Sequence, residues 1–287
     1  MCETCNTKNG TRISATFLEM GGPYVKMAQT PDPAVTTSAT AYKQFEVEVR
    51  DYFRVIIREA VAGLSPNRYA NAQAMVAEVN RVINLNKVNL PAIILRFIER
   101  QILAGQQIGL SQIPEGIRRA ILPDAIQRQI DETVVRLQRG SQAMIRNSLR
   151  SMIGDGLSEG LTVDQLTSRV QEWAGRSGDF ERQIKWRART VARTEASRAL
   201  NEGQAESWKE SGLTRMRWQV APNPCEFCRM MGKRGQTQNI NQPFFGVGET
   251  LTAPKSGNTM VFDYSSVKSP PLHPNCRCTL VPIISYK

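Results

Sequence analysis

The decapeptide SPPLHPNCRC, residues 269–278, carries the only histidine of the 287-residue chain. His273 stands three positions before Cys276 and five before Cys278. A second cysteine pair lies upstream in the segment PCEFC, with 44 residues between the two clusters. The members of that pair are Cys225 and Cys228. Thiolates and imidazole are ligands that zinc prefers, and cysteines separated by two residues are typical of half a zinc site. The sequence therefore predicts a structural zinc ion that joins the two segments.

Five candidate ligands compete for the four positions of a tetrahedral site. We favour Cys225, Cys228, His273 and Cys276, with Cys278 as the substitute for Cys276. Alternate residues of an extended segment point to the same side, so either of the last two cysteines could reach the ion. Gly232, shortly after the first pair, suits the tight turn of a zinc knuckle. Two alternatives stay open: buried cysteines around a core histidine without metal, or a disulfide such as Cys228–Cys276.

A catalytic zinc is not expected, although PCEFC resembles the Pro-Cys-x-x-Cys half of zinc deaminases. Those enzymes need an upstream His-x-Glu, and no histidine precedes Cys225. The chain also lacks HExxH, P-loop, Gly-x-Ser-x-Gly and dinucleotide-binding glycine patterns. The single histidine, once committed to metal, leaves none for a Ser-His or Cys-His pair. We therefore predict that the protein is not an enzyme, and we interpret Cys2 and Cys5 as unpaired thiols.

Composition indicates a globular protein in a reducing compartment. A hydrophobic content of 41% is enough for an ordinary core, and every apolar run is broken before the roughly 18 residues that a membrane helix needs. The first residues lack the basic start, apolar stretch and cleavage site of a secretory signal. Reduced thiols favour metal ligation over disulfides.

The charge balance predicts a polyanionic neighbour. The formal net charge is +11, and residues 212–287 alone hold nine Lys or Arg against three Asp or Glu. Nucleic acid is the favoured neighbour, and an acidic protein surface is the alternative. Without evident base-reading residues, we expect non-specific contact with double-stranded DNA through its phosphates.

Helical periodicity dominates the chain up to about residue 211. Apolar residues recur at helical spacing over 42–64, 70–84, 91–104 and from Pro123 onward, and we predict that Gly105 ends the third helix. Thr162 and Gln165 have capping-box spacing before a predicted helix over 163–174. A further helix is predicted to continue to about Ser211, with small residues along one side that permit close backbone approach.

The last of these helices is also basic, and it continues into a region of different character. The candidate nucleic-acid contacts are Arg182, Lys185, Arg189, Arg193, Lys233 and Arg234. After Gly212 the sequence is rich in Gly, Pro, Asn, Ser and Thr, with short β-leaning pieces. We predict an α+β fold with a flexible arm over 1–40, a helical region over 41–178 and a third domain over 179–287. The helical region and the β-rich module are expected to share one core, because the long helix continues into the module without a linker.

Four motifs in order resemble the phage Mu F-like head morphogenesis family of minor head or minor capsid proteins. They are ARTVARTEASRALNEGQ, the tryptophan of MRWQV, CEFCRMMGK and PPLHPNCRCTLVP, within about residues 180–283. The most specific elements are the triplet Arg193-Thr194-Glu195, then Asn201 and Gly203, the cysteine pair and the His-Pro-x-Cys-Arg-Cys ending.

The resemblance implies a component of the virion, inside the capsid, that is present in the host cytoplasm during assembly. It implies association with the portal protein, with the major capsid or scaffolding protein as a further possible partner, and a role in head assembly, genome packaging or genome ejection. The competing hypothesis is a nucleic-acid-acting enzyme or toxin-like effector carried in the phage head. We interpret Glu195 as a structural ion-pair residue, with Arg198 or a basic residue of the C-terminal module as its partner.

Overall fold

The structure is a computed structural model, and it describes residues 39–65, 68–85, 91–175, 179–233, 236–263 and 265–284. Residues 1–38, which include Cys2, Cys5 and nearly all of the predicted arm, lie outside this range. The predicted α+β class is confirmed, because long helices precede a C-terminal region of short antiparallel strands.

Seven α-helices and five strands are present among the described residues. The helices are α1 (Ala39–Ala62), α2 (Ala72–Leu85), α3 (Ala92–Ser111), α4 (Pro123–Ser158), α5 (Val163–Gly175), α6 (Asp179–Glu210) and α7 (Glu226–Lys233), with a 3₁₀ turn at Glu115–Ile117. The strands are β1 (Arg215–Gln219), β2 (Thr237–Asn239), β3 (Thr250–Thr252), β4 (Thr259–Val261) and β5 (Thr279–Pro282). None of the described helices is long and apolar enough to span a lipid bilayer.

The start of α5 shows how local sequence determines a helix boundary. The amide of Thr162 donates to Gln165 Oε1 at 2.8 Å, and the amide of Gln165 donates to Thr162 Oγ1 at 3.3 Å. This reciprocal pair satisfies two of the N–H groups that a helix start leaves without partners. The predicted capping box is therefore confirmed.

One compact unit comprises residues within Ser38–Glu99 and Ile130–Glu195. Its core is built by the apolar faces of α1, α2, α5 and the included parts of α3, α4 and α6. Phe45 stacks on Phe97 with ring centroids 4.1 Å apart, and the Thr167 hydroxyl contacts Met75 Sδ at 3.6 Å. The buried positions follow the helical period that the sequence indicated.

The other compact unit comprises residues within Arg100–Gln129 and from Ala196 through the C-terminal region. Strands β2, β1 and β5 form an antiparallel sheet in that order, and β3 pairs with β4. Trp208 of α6 is fully buried in the same cluster as Met216, Trp218 and Leu280 of the sheet. The C-terminal part of α6 and the sheet therefore contribute to one hydrophobic cluster. The single core expected for the helical region and the module, and the predicted domain boundaries at 40 and 178, stay predictions.

The prediction that α3 ends at Gly105 is wrong, because the helix continues through this residue to Ser111. A Cβ atom on Gly105 would lie 2.1 Å from the carbonyl oxygen of Leu200, and one on Gly203 would lie 2.1 Å from that of Ile102. These glycines therefore allow the backbones of α3 and α6 to approach closely. The predicted role of the small residues along α6 is confirmed here.

Candidate metal centre

Cys225 and Cys228 are positioned by the first turn of α7. The amide of Arg229 donates to the carbonyl oxygen of Cys225 at 2.9 Å, so Cys225 stands where the helix begins and Cys228 lies one turn later. Residues three apart on a helix share a face, which brings the two thiols to one side. The pair is therefore presented by a helix and not by a knuckle turn. Gly232 lies inside α7, where a Cβ atom would come within 2.7 Å of Val220 Cγ2.

His273 and Cys276 are brought together by a four-residue turn. The amide of Cys276 donates to the carbonyl oxygen of His273 at 3.1 Å, and Asn275 between them has a φ of 61°. Proline at the second position and a residue with positive φ at the third are typical of a type II β-turn. The local sequence His-Pro-Asn-Cys thus contains the signal for the turn that aligns these two side chains.

The imidazole of His273 faces the first cysteine pair. Its Nε2 lies 3.0 Å from Cys225 Sγ and 3.1 Å from Cys228 Sγ, while Nδ1 lies 2.9 Å from the carbonyl oxygen of Pro274. A carbonyl oxygen can only accept, so Nδ1 carries the proton of this hydrogen bond. In the neutral ring, Nε2 then presents its lone pair to the two sulfurs, as a metal-binding histidine requires.

The structure brings all five predicted candidates into one cluster. Cys225, Cys228 and His273 have ligand atoms within 4.8 Å of one another, and the same holds for Cys228, Cys276 and Cys278. Cys228 belongs to both groups, and its Sγ lies 3.6 Å from that of Cys276. The four cysteines are free thiols and buried, so the pair considered for a disulfide is close in space without being joined. Cys276 and Cys278 both lie at the cluster.

Two of the thiols are strongly acidified. The hydrogen bond with Cys228 lowers the pKa of Cys225 to about 4, against the opposing effect of burial. Hydrogen bonds with Cys228 and Cys276 lower the pKa of Cys278 to about 3. These shifts favour the thiolate form of both side chains, the form that binds metal.

The pKa values of the other three members are raised, which favours their protonated forms. The hydrogen bond with Cys225, followed by those with Cys276 and Cys278, raises the pKa of Cys228. The hydrogen bond with Cys228 lowers the pKa of Cys276, but the hydrogen bond with Cys278 and burial outweigh this effect and raise that pKa to about 12. Burial opposes the charged form of His273, yet its hydrogen bond with Cys225 leaves its pKa raised. A cation could replace these protons, so the cluster could hold a metal ion.

The candidate nucleic-acid residues lie on α6 where the structure describes them. Arg182, Lys185 and Arg189 are exposed, and Arg193 is half-buried. The side chains of Lys233 and Arg234 lie outside the described residues. Contact of these residues with DNA stays a prediction.

Glu195 has a partner that the sequence did not indicate. Its Oε2 lies 3.7 Å from Nε of Arg136 on α4, and both side chains are largely buried. Thr194 of the same triplet donates to the carbonyl oxygen of Thr190 at 2.7 Å, within its own helix. Both contacts lie within the helical region, and the structural role expected for the triplet stays a prediction.

Asn201 connects α6 to the sheet, and sequence reasoning did not assign it this role. Its Oδ1 accepts from Thr279 Oγ1 at 2.9 Å and from the amide of Leu280 at 3.1 Å, while Nδ2 donates to the carbonyl oxygen of Ser197 at 2.8 Å. Asn201 is 1% exposed. An asparagine inside a predicted helix was the available signal, because its amide needs partners when it is buried.

Comparison with known proteins finds a family match for the region that contains this cluster. No curated protein and no solved structure matches the chain. Residues 147–281 match the family model described as Phage Mu protein F like protein, and this range includes α6, the cysteine and histidine cluster and nearly all of β5. The resemblance drawn from the motifs is thereby confirmed, since residues 147–281 are similar to the phage Mu protein F-like family.

Proposed function

We propose that the protein is a minor head protein of a tailed phage, located inside the capsid near the portal, where it assists head assembly, genome packaging or genome delivery. The observation that carries this proposal is the family match over residues 147–281. The family points to phage head morphogenesis, and the specific role within the head is our proposal. The role is structural and not enzymatic.

The portal protein is the proposed principal partner, with the major capsid or scaffolding protein as a further one. Mass spectrometry of purified virions should detect the protein, and a pull-down with the tagged portal protein should retain it. Absence from virions that infect normally would contradict the location. Retention by the capsid protein alone would reassign the partner and contradict the position at the portal.

Contact with packaged DNA is proposed to be electrostatic. The net charge of +11 and the exposed cations of α6 support binding through phosphates, which releases counterions and weakens steeply with salt. Duplexes of unrelated sequence should bind equally at low salt and dissociate as salt rises. Affinity that persists at high salt, or a strong preference for one sequence, would contradict this mode. Divalent-ion-dependent cleavage of the DNA would instead favour the enzyme hypothesis.

We propose zinc as the ion of the cysteine and histidine cluster. Buried thiolates with one imidazole are a soft donor set that suits zinc in a closed structural site. When bound, zinc would act as a Lewis acid that crosslinks its protein ligands, and it would take no part in a reaction. Cys225, Cys228 and His273 would bind with one of Cys276 and Cys278, and the start of α7 would thereby be tied to the turn before β5. Binding energy then becomes folding energy for the module.

Elemental analysis of protein purified without chelator tests this site. His273→Ala and Cys225→Ser should each release zinc and expose residues 212–284 to protease while the helices survive. Only one of Cys276→Ser and Cys278→Ser should do the same, since a tetrahedral site has one place left. Cys2→Ser is the control and should change nothing. Protein without zinc and with a disulfide between the clusters would refute the metal.

A further inference from the structure

The basic face of α6, defined as Arg182, Lys185, Arg189 and Arg193, surrounds one exposed aromatic side chain. Residues 182–194 contain five basic residues and no acidic one. Trp186 within this segment is 47% exposed, whereas Trp208 and Trp218 are buried. An indole left in water is unfavourable and calls for an explanation.

Helical geometry places the indole among the charges. Trp186 follows Arg182 by four residues and precedes Arg189 by three, and both spacings put side chains side by side on a helix. Lys185 is adjacent in sequence and exposed. The segment from residue 182 to 193 extends about 16 Å along the axis at roughly 1.5 Å per residue. That length spans several consecutive phosphates of one strand, which follow one another at about 3.4 Å along the axis of a stacked helix.

From this arrangement, and resting on the proposed DNA contact, we propose that the basic face binds single-stranded nucleic acid with one base stacked on Trp186. Cations alone would serve any polyanion. A flat aromatic surface between them is complementary to a chain that offers both phosphates and unpaired bases, and aromatic platforms in basic grooves are the recurring solution for single strands. A duplex keeps its base faces stacked inside and cannot use the indole.

An acidic protein surface is the competing occupant. It would satisfy the cations through carboxylates but would leave the indole to an ordinary apolar contact. A second alternative is internal, because a guanidinium of the same helix could cover the indole by a cation–π contact. Both alternatives predict that nucleic acid leaves the surroundings of Trp186 unchanged.

Intrinsic tryptophan fluorescence of the full chain distinguishes these cases. The chain is titrated at low salt with oligothymidylate of about 15 nucleotides, with a duplex of equal length and with inorganic polyphosphate. The single strand should quench the exposed indole, and Trp186→Ala should weaken its affinity on the order of tenfold. The same variant should change affinity for the duplex and for polyphosphate by less than about twofold, because these bind through charge alone.

Two matched variants test whether the effect of Trp186→Ala comes from the loss of the aromatic ring. Trp186→Phe keeps a flat ring and should retain most of the single-strand affinity. Leu157→Ala removes an apolar side chain of similar exposure, 49%, from α4 and should have no effect. Circular dichroism checks that each variant keeps its helices.

The outcomes separate the two proposals. Equal single-strand affinity in wild type and Trp186→Ala would overturn stacking and leave electrostatic DNA contact intact. Failure of all three polyanions to bind at low salt would overturn both, and an acidic protein surface would then be the partner of the basic face.

Discussion

Replacing Gly203 with alanine tests the close approach of α3 and α6. The new Cβ atom would lie 2.1 Å from the carbonyl oxygen of Ile102, whereas ordinary van der Waals contact begins at 3.4 Å. Both atoms belong to the backbone or are fixed to it, so no side chain can rotate away. The two helices must separate locally by about 1 Å to relieve the overlap.

Two effects of opposite sign determine the magnitude. Overpacking of this kind costs about 1–3 kcal/mol, and we take the upper end because a backbone carbonyl cannot yield. Alanine is favoured over glycine inside a helix by about 1 kcal/mol. The difference between these two effects is a net loss of roughly 2 kcal/mol. Separation would also weaken neighbouring contacts, such as the hydrogen bond from Trp208 Nε1 to the carbonyl oxygen of Gly109.

Hydrogen exchange measured by mass spectrometry is the suitable assay, because the chain forms two compact units and local opening energies are needed. Peptides from α3 and α6 should exchange faster in Gly203→Ala. Gly140→Ala is the matched control, since its Cβ atom would meet nothing within 4 Å, and it should gain up to about 1 kcal/mol.

Gly105→Ala extends the test to the opposite helix, because its Cβ atom would meet the carbonyl oxygen of Leu200 at 2.1 Å. Once either substitution has separated the helices, the second should cost less than it does alone. Gly203→Ala with the stability of wild type, or with the gain of Gly140→Ala, would refute the close-approach argument.

Three further predictions concern the hydrogen bonds of Asn201, the N-terminal cap of α5 and the phenol of Tyr52. Asn201→Leu should cost about 1–3 kcal/mol, because the buried amide of Leu280 loses its acceptor, and exchange of that amide should accelerate more than in Asn201→Asp, which keeps an oxygen. Thr162→Ala should destabilise α5 by about 1 kcal/mol in urea unfolding while Thr162→Ser should not, and equal losses in both variants would remove the cap as the cause. Burial raises the pKa of Tyr52 from 10.0 to about 12, so the stability that its protonated form contributes is present below pH 10 and is lost as the pH rises toward 12. Tyr52→Phe should lose less stability than wild type between pH 10 and 12, and parallel losses would contradict a buried phenol.

Features that depend on neighbouring residues were readable from the sequence. The 3.6-residue period located the helices, the Thr162 and Gln165 pair located the start of α5, and the His-Pro-Asn-Cys sequence contained the turn at the cluster. The two cysteine pairs and the single histidine were predicted to meet because thiolates and imidazole are the ligands that a structural zinc ion prefers. Each of these signals lies within a few residues or in the donor types themselves.

The tertiary structure decided what those signals left ambiguous. A glycine in a helical pattern can be a stop or a packing contact, and only the approach of Leu200 shows which role Gly105 has. Cysteines separated by two residues can be presented by a turn or by a helix. The sequence pattern indicated a turn, whereas the structure has the helix α7 at this position. The partners of Asn201 and Glu195 lie more than fifty residues away, at Leu280 and Arg136. Contacts at such separation depend on how helices and strands pack against one another, which no local pattern of residues specifies.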